Sequence, residues 1–93
     1  MEVYIVKKRD NSLLKRVEVY FRIRYNGSTP SRKEVREKIA GLLNAELDRV
    51  IVDYIKPEFG KTEAFCYAKI YYTPEDLRSI EDKHTIRKNF GGE

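Results

Sequence analysis

Tryptophan is absent from this sequence of 93 residues, and cysteine, histidine and methionine occur once each. The lone Cys66 excludes an internal disulfide and suits a reducing compartment. One Cys and one His are too few for a zinc site built from those ligands. Hydrophobic runs are short, far below the ~18 consecutive apolar residues of a membrane span. The opening Met-Glu-Val-Tyr has neither a basic start nor a long apolar run, so it does not read as a secretory signal. Catalytic signatures are missing as well: no G-x-S-x-G, no P-loop and no G-x-G-x-x-G. The expectation is a soluble intracellular domain that holds no metal, spans no membrane and is not an enzyme.

What the chain does have is charge, aromatics and one clear helical period. Seven Tyr and four Phe supply apolar mass for a single core. The net charge is +4, and the whole positive excess falls in residues 1 to 45. A basic half on a small domain points to an anionic partner, most often nucleic acid, against the plainer reading of a soluble basic surface.

Thr29 to Asn44 is the organising segment. Val35, Ile39, Leu42 and Leu43 fall on one stripe at 100° per residue. Pro30 suits a first turn, Ser31 with Glu34 reads as a capping box, and Asn44 is a stop. Relative to Val35, Arg32, Arg36 and Lys33 lie roughly 60°, 100° and 160° round the helix, so three cations share a flank. Lys38 follows Glu34 by four residues, the order of a surface ion pair.

Strands flank this helix. Glu2 to Lys8 and Lys15 to Tyr25 form a hairpin around Asp10-Asn11-Ser12. In the second strand Val17, Val19, Phe21, Ile23 and Tyr25 face one way, and Glu18, Tyr20, Arg22 and Arg24 the other. In Arg49 to Lys56, Val50, Val52 and Tyr54 alternate against Ile51, Asp53 and Ile55, which reads as an interior strand. Glu63 to Tyr72 separates a small-residue face (Ala64, Cys66, Ala68, Ile70) from an aromatic, basic face (Phe65, Tyr67, Lys69, Tyr71). Thr73-Pro74-Glu75-Asp76 starts a short helix with Leu77 and Ile80 inward, its acids meeting the helix dipole. The segment from Glu81 has weak pattern, and His84 within it reads as a surface residue.

The sum is an α+β fold of order β-β-α-β-β-α: a four-stranded, mainly antiparallel sheet with packed helices. Residues 1–88 form one domain and 89–93 a flexible tail. Cys66, mid-strand among small residues, is a buried structural thiol and not a nucleophile.

Aromatics interleaved with cations on a sheet are an RNA-binding pattern. Against the consensus K/R-G-F/Y-G/A-F-V-x-F/Y, the segment Glu63 to Ile70 matches only at Phe65 and Tyr67. Three uses of this chain stay open: a phosphate-binding basic surface, a single-strand RNA module using the Tyr20/Tyr67/Tyr71 face, and a protein adaptor using that face. The covered amphipathic sheet is the bland reading of those tyrosines. The phosphate-binding candidates are Arg32, Lys33 and Arg36 on the helix, Arg22 and Arg24 on the strand before it, and Lys15, Arg16, Lys61 and Lys69 around hairpin and loop. Cations without a base-reading motif fix position on RNA without reading sequence.

One stretch has a family resemblance. Phe59-Gly60-Lys61-Thr62-Glu63-Ala64-Phe65-Cys66-Tyr67-Ala68-Lys69-Ile70-Tyr71 resembles the signature of the ribosomal protein S-twenty-four-e family. Asn11 to Phe21, Thr29 to Lys38, Leu42 to Ala45 and Thr73-Pro74-Glu75 agree in order and spacing, so the resemblance spans nearly the whole chain. Departures occur where the signature has a cation (Glu63 here), Gly (Cys66) and Asp or Asn (Tyr72). Without a long basic C-terminal extension, the chain resembles the archaeal type. The resemblance implies a structural component of the small ribosomal subunit, on the ribosome in the cytoplasm and without a cofactor. Its partners would be ribosomal RNA and neighbouring ribosomal proteins, with the isolated protein a monomer.

Overall fold

The computed structural model describes residues 1–91. Seven elements alternate as β1 (Glu2–Asn11), β2 (Arg16–Arg24), α1 (Arg32–Leu43), β3 (Val50–Pro57), β4 (Glu63–Tyr71), α2 (Pro74–Ile80) and α3 (Lys83–Phe90), with a 3-10 turn at Leu47–Arg49. The strands form one antiparallel sheet in the order β1-β2-β4-β3. The α+β class and the four-stranded antiparallel sheet are therefore as expected, with a third helix added.

Alternation decides which face is buried. Val19, Phe21 and Ile23 of β2, with Ala64, Cys66 and Ala68 of β4, are fully buried beneath α1. The helix supplies Val35, Ile39 and Ala40 to the same cluster. The small residues of β4 let that helix lie close, and Cys66 is part of this packing. Burial pushes its thiol up to about 12, so no thiolate is available at neutral pH.

The caps of α1 form as its sequence predicts. Ser31 Oγ accepts from the Glu34 N–H and Glu34 Oε1 accepts from the Ser31 N–H, at 3.1 and 3.0 Å. Asn44 ends the helix in the left-handed region, φ 53°. Pro30 lies one residue before the cap and not in the first turn. Because Glu34 caps the helix, no ion pair with Lys38 forms among the described residues. Leu42 is half exposed, so the apolar stripe is narrower than its spacing suggests.

Two bulges depart from the simple alternation. The β1–β2 register skips Val6, and the β3–β4 register skips Asp53. Beyond the second bulge Tyr54 pairs with Tyr67 and Ile55 with Cys66, so Tyr54 lies on the open face and Ile55 on the core face, the reverse of the sequence reading. β3 is an edge strand, not an interior one, yet Val50, Ile51 and Val52 are fully buried because helices cover both sides.

The weakly patterned segment after Glu81 folds as α3. Asp82 caps it, accepting from the Thr85 N–H at 2.8 Å, and Gly91 ends it at φ 69°. Asn89 and Phe90, assigned to a flexible tail from the sequence, close this helix, and Asn89 is buried. Of the expected tail, residues 92 and 93 lie outside the described residues. A second small cluster, Ile51, Tyr71 and Leu77 with Ile86, holds α2 and α3 on the sheet's other face. Ile80, expected inward, is exposed.

Candidate RNA-binding surface

The cationic flank of α1 lies along the outer edge of β3, and this splits its three cations. Arg32 Nε donates to the Val52 carbonyl at 3.1 Å and its Nη2 to that of Asp53 at 3.3 Å. Arg36 donates to the carbonyls of Val50 (2.8 Å), Leu47 (2.6 Å) and Asn89 (3.2 Å). Its guanidinium sits 3.8 Å from the ring centroid of Phe90. Burial holds that guanidinium below its ordinary pKa, with weaker opposing pulls from Glu37 and Asp48. From α3, Asn89 accepts from the Val52 N–H (2.6 Å) and donates back to the Val52 carbonyl (3.0 Å). An edge strand's outward backbone groups invite another strand. Here three side chains occupy them, so Arg36 is part of the core and only Lys33 of the trio is freely exposed.

Lys69 is similarly committed. Its Nζ is 2.6 Å from Glu81 Oε2 and 3.2 Å from Asp53 Oδ1, beneath the end of α2. Tyr71 donates to Glu81 and accepts from Arg16 Nη1 at 2.8 Å, while Arg16 Nε meets Glu18 at 2.9 Å. Burial, then the bond to Glu81, pushes the Tyr71 phenol well above its ordinary value, so it stays a donor. Arg16 and Lys69 thus tie α2 to the sheet.

The remaining candidates face solvent to different degrees. Arg22 pairs with Glu63 at 2.9 Å, and Arg24 reaches the other oxygen of the same carboxylate at 3.5 Å. Lys15 and Lys61 are over three-fifths exposed and only loosely paired, with Asp76 at 4.0 Å and Glu58 at 3.9 Å.

Several cations outside the sequence-based candidates are exposed and form no ion pair among the described residues: Lys7, Lys8 and Arg9 on β1, Lys56 on β3, and Lys83, Arg87 and Lys88 on α3. Lys33 and Lys88 line one pocket of about 280 Å³ between α1 and α3. The sequence signal for α3 is Asp82 three residues before Thr85, with Gly91 at the far end.

The face of the sheet opposite α1 is covered at only one end, by α2 and α3. The rest is open and runs in transverse rows. In one row Tyr4, Arg22, Phe65 and Lys56 are cross-strand neighbours, with Arg22 over the Phe65 ring at 4.8 Å. The next row is Lys7, Tyr20, Tyr67 and Tyr54. Tyr20 and Tyr67 stack at 4.7 Å and 24°, and Tyr54 meets Tyr67 at 5.9 Å and 39°. Tyr71, grouped with this face from the sequence, is fully buried under α2.

No metal-holding group of three or more His, Cys, Asp or Glu occurs among the described residues, and no helix there is long and apolar enough to cross a membrane. Comparison with known proteins decides the family. The family model for Ribosomal protein S24e matches residues 1–90. A small ribosomal subunit protein eS24 from Archaeoglobus fulgidus is 65% identical over 89 residues, covering 96% of this chain and 81% of that protein. Those of Methanosarcina barkeri and Methanocaldococcus jannaschii are 42% and 44% identical, each with 96% of this chain and 88% of the relative covered. The chain belongs to the ribosomal protein S24e family. This is a family of ribosomal proteins and not of enzymes. In this S24e chain the signature block forms the β3–β4 loop and β4. Two of its three departures have local explanations: Glu63 is held between Arg22 and Arg24, and the Cys66 side chain fills core space. Phe59, at the loop tip, is fully exposed and contributes nothing to the core.

Proposed function

We propose that this chain is a structural constituent of the small ribosomal subunit, in the cytoplasm, holding ribosomal RNA and neighbouring ribosomal proteins through its surface. The observation that carries this reading is similarity along 96% of the chain to archaeal proteins named for that subunit. Sedimentation of a native cell extract tests it. The protein should co-migrate with small subunits and be released by high salt; migration as a free protein at low salt would refute the assignment.

RNA binding falls to cations that are not already committed to holding the fold. Of the sequence candidates, Lys33, Lys15, Lys61 and Arg24 reach solvent most freely, while Arg22 is shared with Glu63. Arg36, Lys69, Arg16 and Arg32 act on RNA only through the structure they hold. Lys33 and Lys88 line one pocket from two helices, with Glu37 also at its wall, and are the pair proposed to meet a phosphate. Removing one lysine–phosphate pair lowers the salt slope of binding by about 0.7 to 0.9 in magnitude. A double change, Lys33→Ala with Lys88→Ala, should flatten the slope for a small-subunit RNA fragment while leaving thermal unfolding unchanged. An unaltered slope would move the phosphate-binding cations elsewhere.

A further inference from the structure

The two bulges lie in opposite edge strands, yet their effect converges on one row of the open face. Without the skip at Val6, alternation from Tyr4 would turn Lys7 toward α1. Without the skip at Asp53, Tyr54 would turn the same way. Bulges re-aim side chains and cluster beside functional sites. Here they place Lys7 at one end and Tyr54 at the other of a row whose middle is the Tyr20–Tyr67 stack.

The ends of this row are open. Tyr20 is 41% exposed and Tyr54 39%, with Tyr67 half-buried between them. Each end ring has a cation beside it: Lys7 is the cross-strand neighbour of Tyr20, and Lys56 lies two residues beyond Tyr54 on the same face. Neither lysine forms an ion pair among the described residues, and Arg9, on the next row, is also free of one. An aliphatic protein partner would call for exposed Leu, Ile or Val. The two rows instead offer aromatic rings and cations, which complement a base and its phosphate.

We propose that the open sheet face binds unpaired RNA nucleotides by extending the tyrosine stack at both ends. One base stacks on Tyr20 with its phosphate at Lys7, and another on Tyr54 with its phosphate at Lys56. This rests on the chain being an RNA-binding protein and names the form of RNA that this face takes. Stacking of this kind tolerates any base, so the face selects single strands over duplexes without selecting sequence.

The test measures binding of an eight-nucleotide oligouridine and of a blunt RNA duplex to the full chain by fluorescence anisotropy. Tyr20→Leu and Tyr54→Leu are each expected to weaken oligouridine binding about tenfold, with duplex binding and thermal unfolding unchanged. Tyr20→Phe and Tyr54→Phe keep the ring and should keep the affinity. Equal losses for duplex and single strand, or full oligouridine affinity in the double Leu variant, would overturn the proposal, the latter result leaving the face to a protein partner. Co-migration with small subunits is read separately on the wild type. It can succeed while the oligouridine result fails, which keeps the two readings distinguishable.

Discussion

Arg36→Ala separates a core arginine from a surface one. The side chain is 5% exposed and joins three pieces: the 3-10 turn at Leu47, the start of β3 at Val50 and the end of α3 at Asn89, the last also tied to β3 by the Asn89–Val52 bonds. Hydrogen bonds to a charged group contribute about 1.5–3 kcal/mol each, and this guanidinium makes three. Truncation also releases a charge that sits 3.8 Å over Phe90 with no ion-pair partner among the described residues, which offsets a large part of that sum. Water can reach the Leu47 carbonyl once the side chain is gone, because that residue is exposed. A net loss of about 3 kcal/mol results, in the range of buried polar networks. For a chain of this size that lowers the melting temperature by about 12–24 °C. Circular dichroism melts and urea titrations measure it, and amide exchange should show α3 opening first. Arg36→Lys, with one nitrogen, should recover only part of the loss. A variant within about 0.5 kcal/mol of wild type that lost RNA affinity would show Arg36 to be a surface residue that meets RNA directly.

Glu81→Gln removes the charge facing Lys69 at 2.6 Å and should cost about 3–5 kcal/mol in urea unfolding, because a buried ammonium loses its main partner; a change under about 1 kcal/mol would mean that Asp53 alone suffices. Cys66 should react with thiol reagents only as fast as the whole protein unfolds, since its pKa is pushed up to about 12 by burial, and Cys66→Ala should cost about 1 kcal/mol with RNA affinity unchanged; rapid labelling of the native protein would contradict this. Three carboxylates contribute to the loss of stability in acid. Backbone N–H bonds hold Glu34 and Asp82 below the ordinary range, and at Glu18 burial pushes up but bonds from Arg16 and Asn11 outweigh it. Folded values below unfolded ones mean that the unfolded chain binds more protons, so this stability is full above the ordinary carboxylate range and is lost as pH falls through the lower folded values. Urea midpoints should be flat from about pH 5 to 7 and fall steeply below about 4; a midpoint that rose on acidification would reverse the sign.

The parts of the fold carried by local chemistry are legible in the sequence. Ser31 with Glu34, the alternation of Val17 to Tyr25 and the small face of Ala64, Cys66 and Ala68 are patterns in which each residue's preference agrees with the tertiary outcome. The third helix escapes such a reading because its apolar content is slight. Ile86 and Phe90 are its only large apolar residues, and a polar Asn89 makes its anchoring contact with Val52. The helix is also only eight residues long, too short for two apolar residues to establish a period.

The site residues show a different limit. Helical angles correctly group Arg32, Arg36 and Lys33 on one flank, but angle does not say what the flank faces. It faces the open edge of β3, where carbonyl oxygens compete for the same guanidinium groups that phosphates would take. Lys33, farthest round from Val35, is the one left free. On the sheet the failure is of period. A bulge inserts one residue and reverses every assignment after it, and neither Val6 nor Asp53 is a residue type that announces one. Simple alternation therefore puts Tyr54 with the core and assigns Lys7 no role. Alternation works wherever the register is regular, and it fails beyond the two positions where a bulge shifts it. The same rule-breaking that hides those residues from the sequence makes that face the place to look for bound nucleotides.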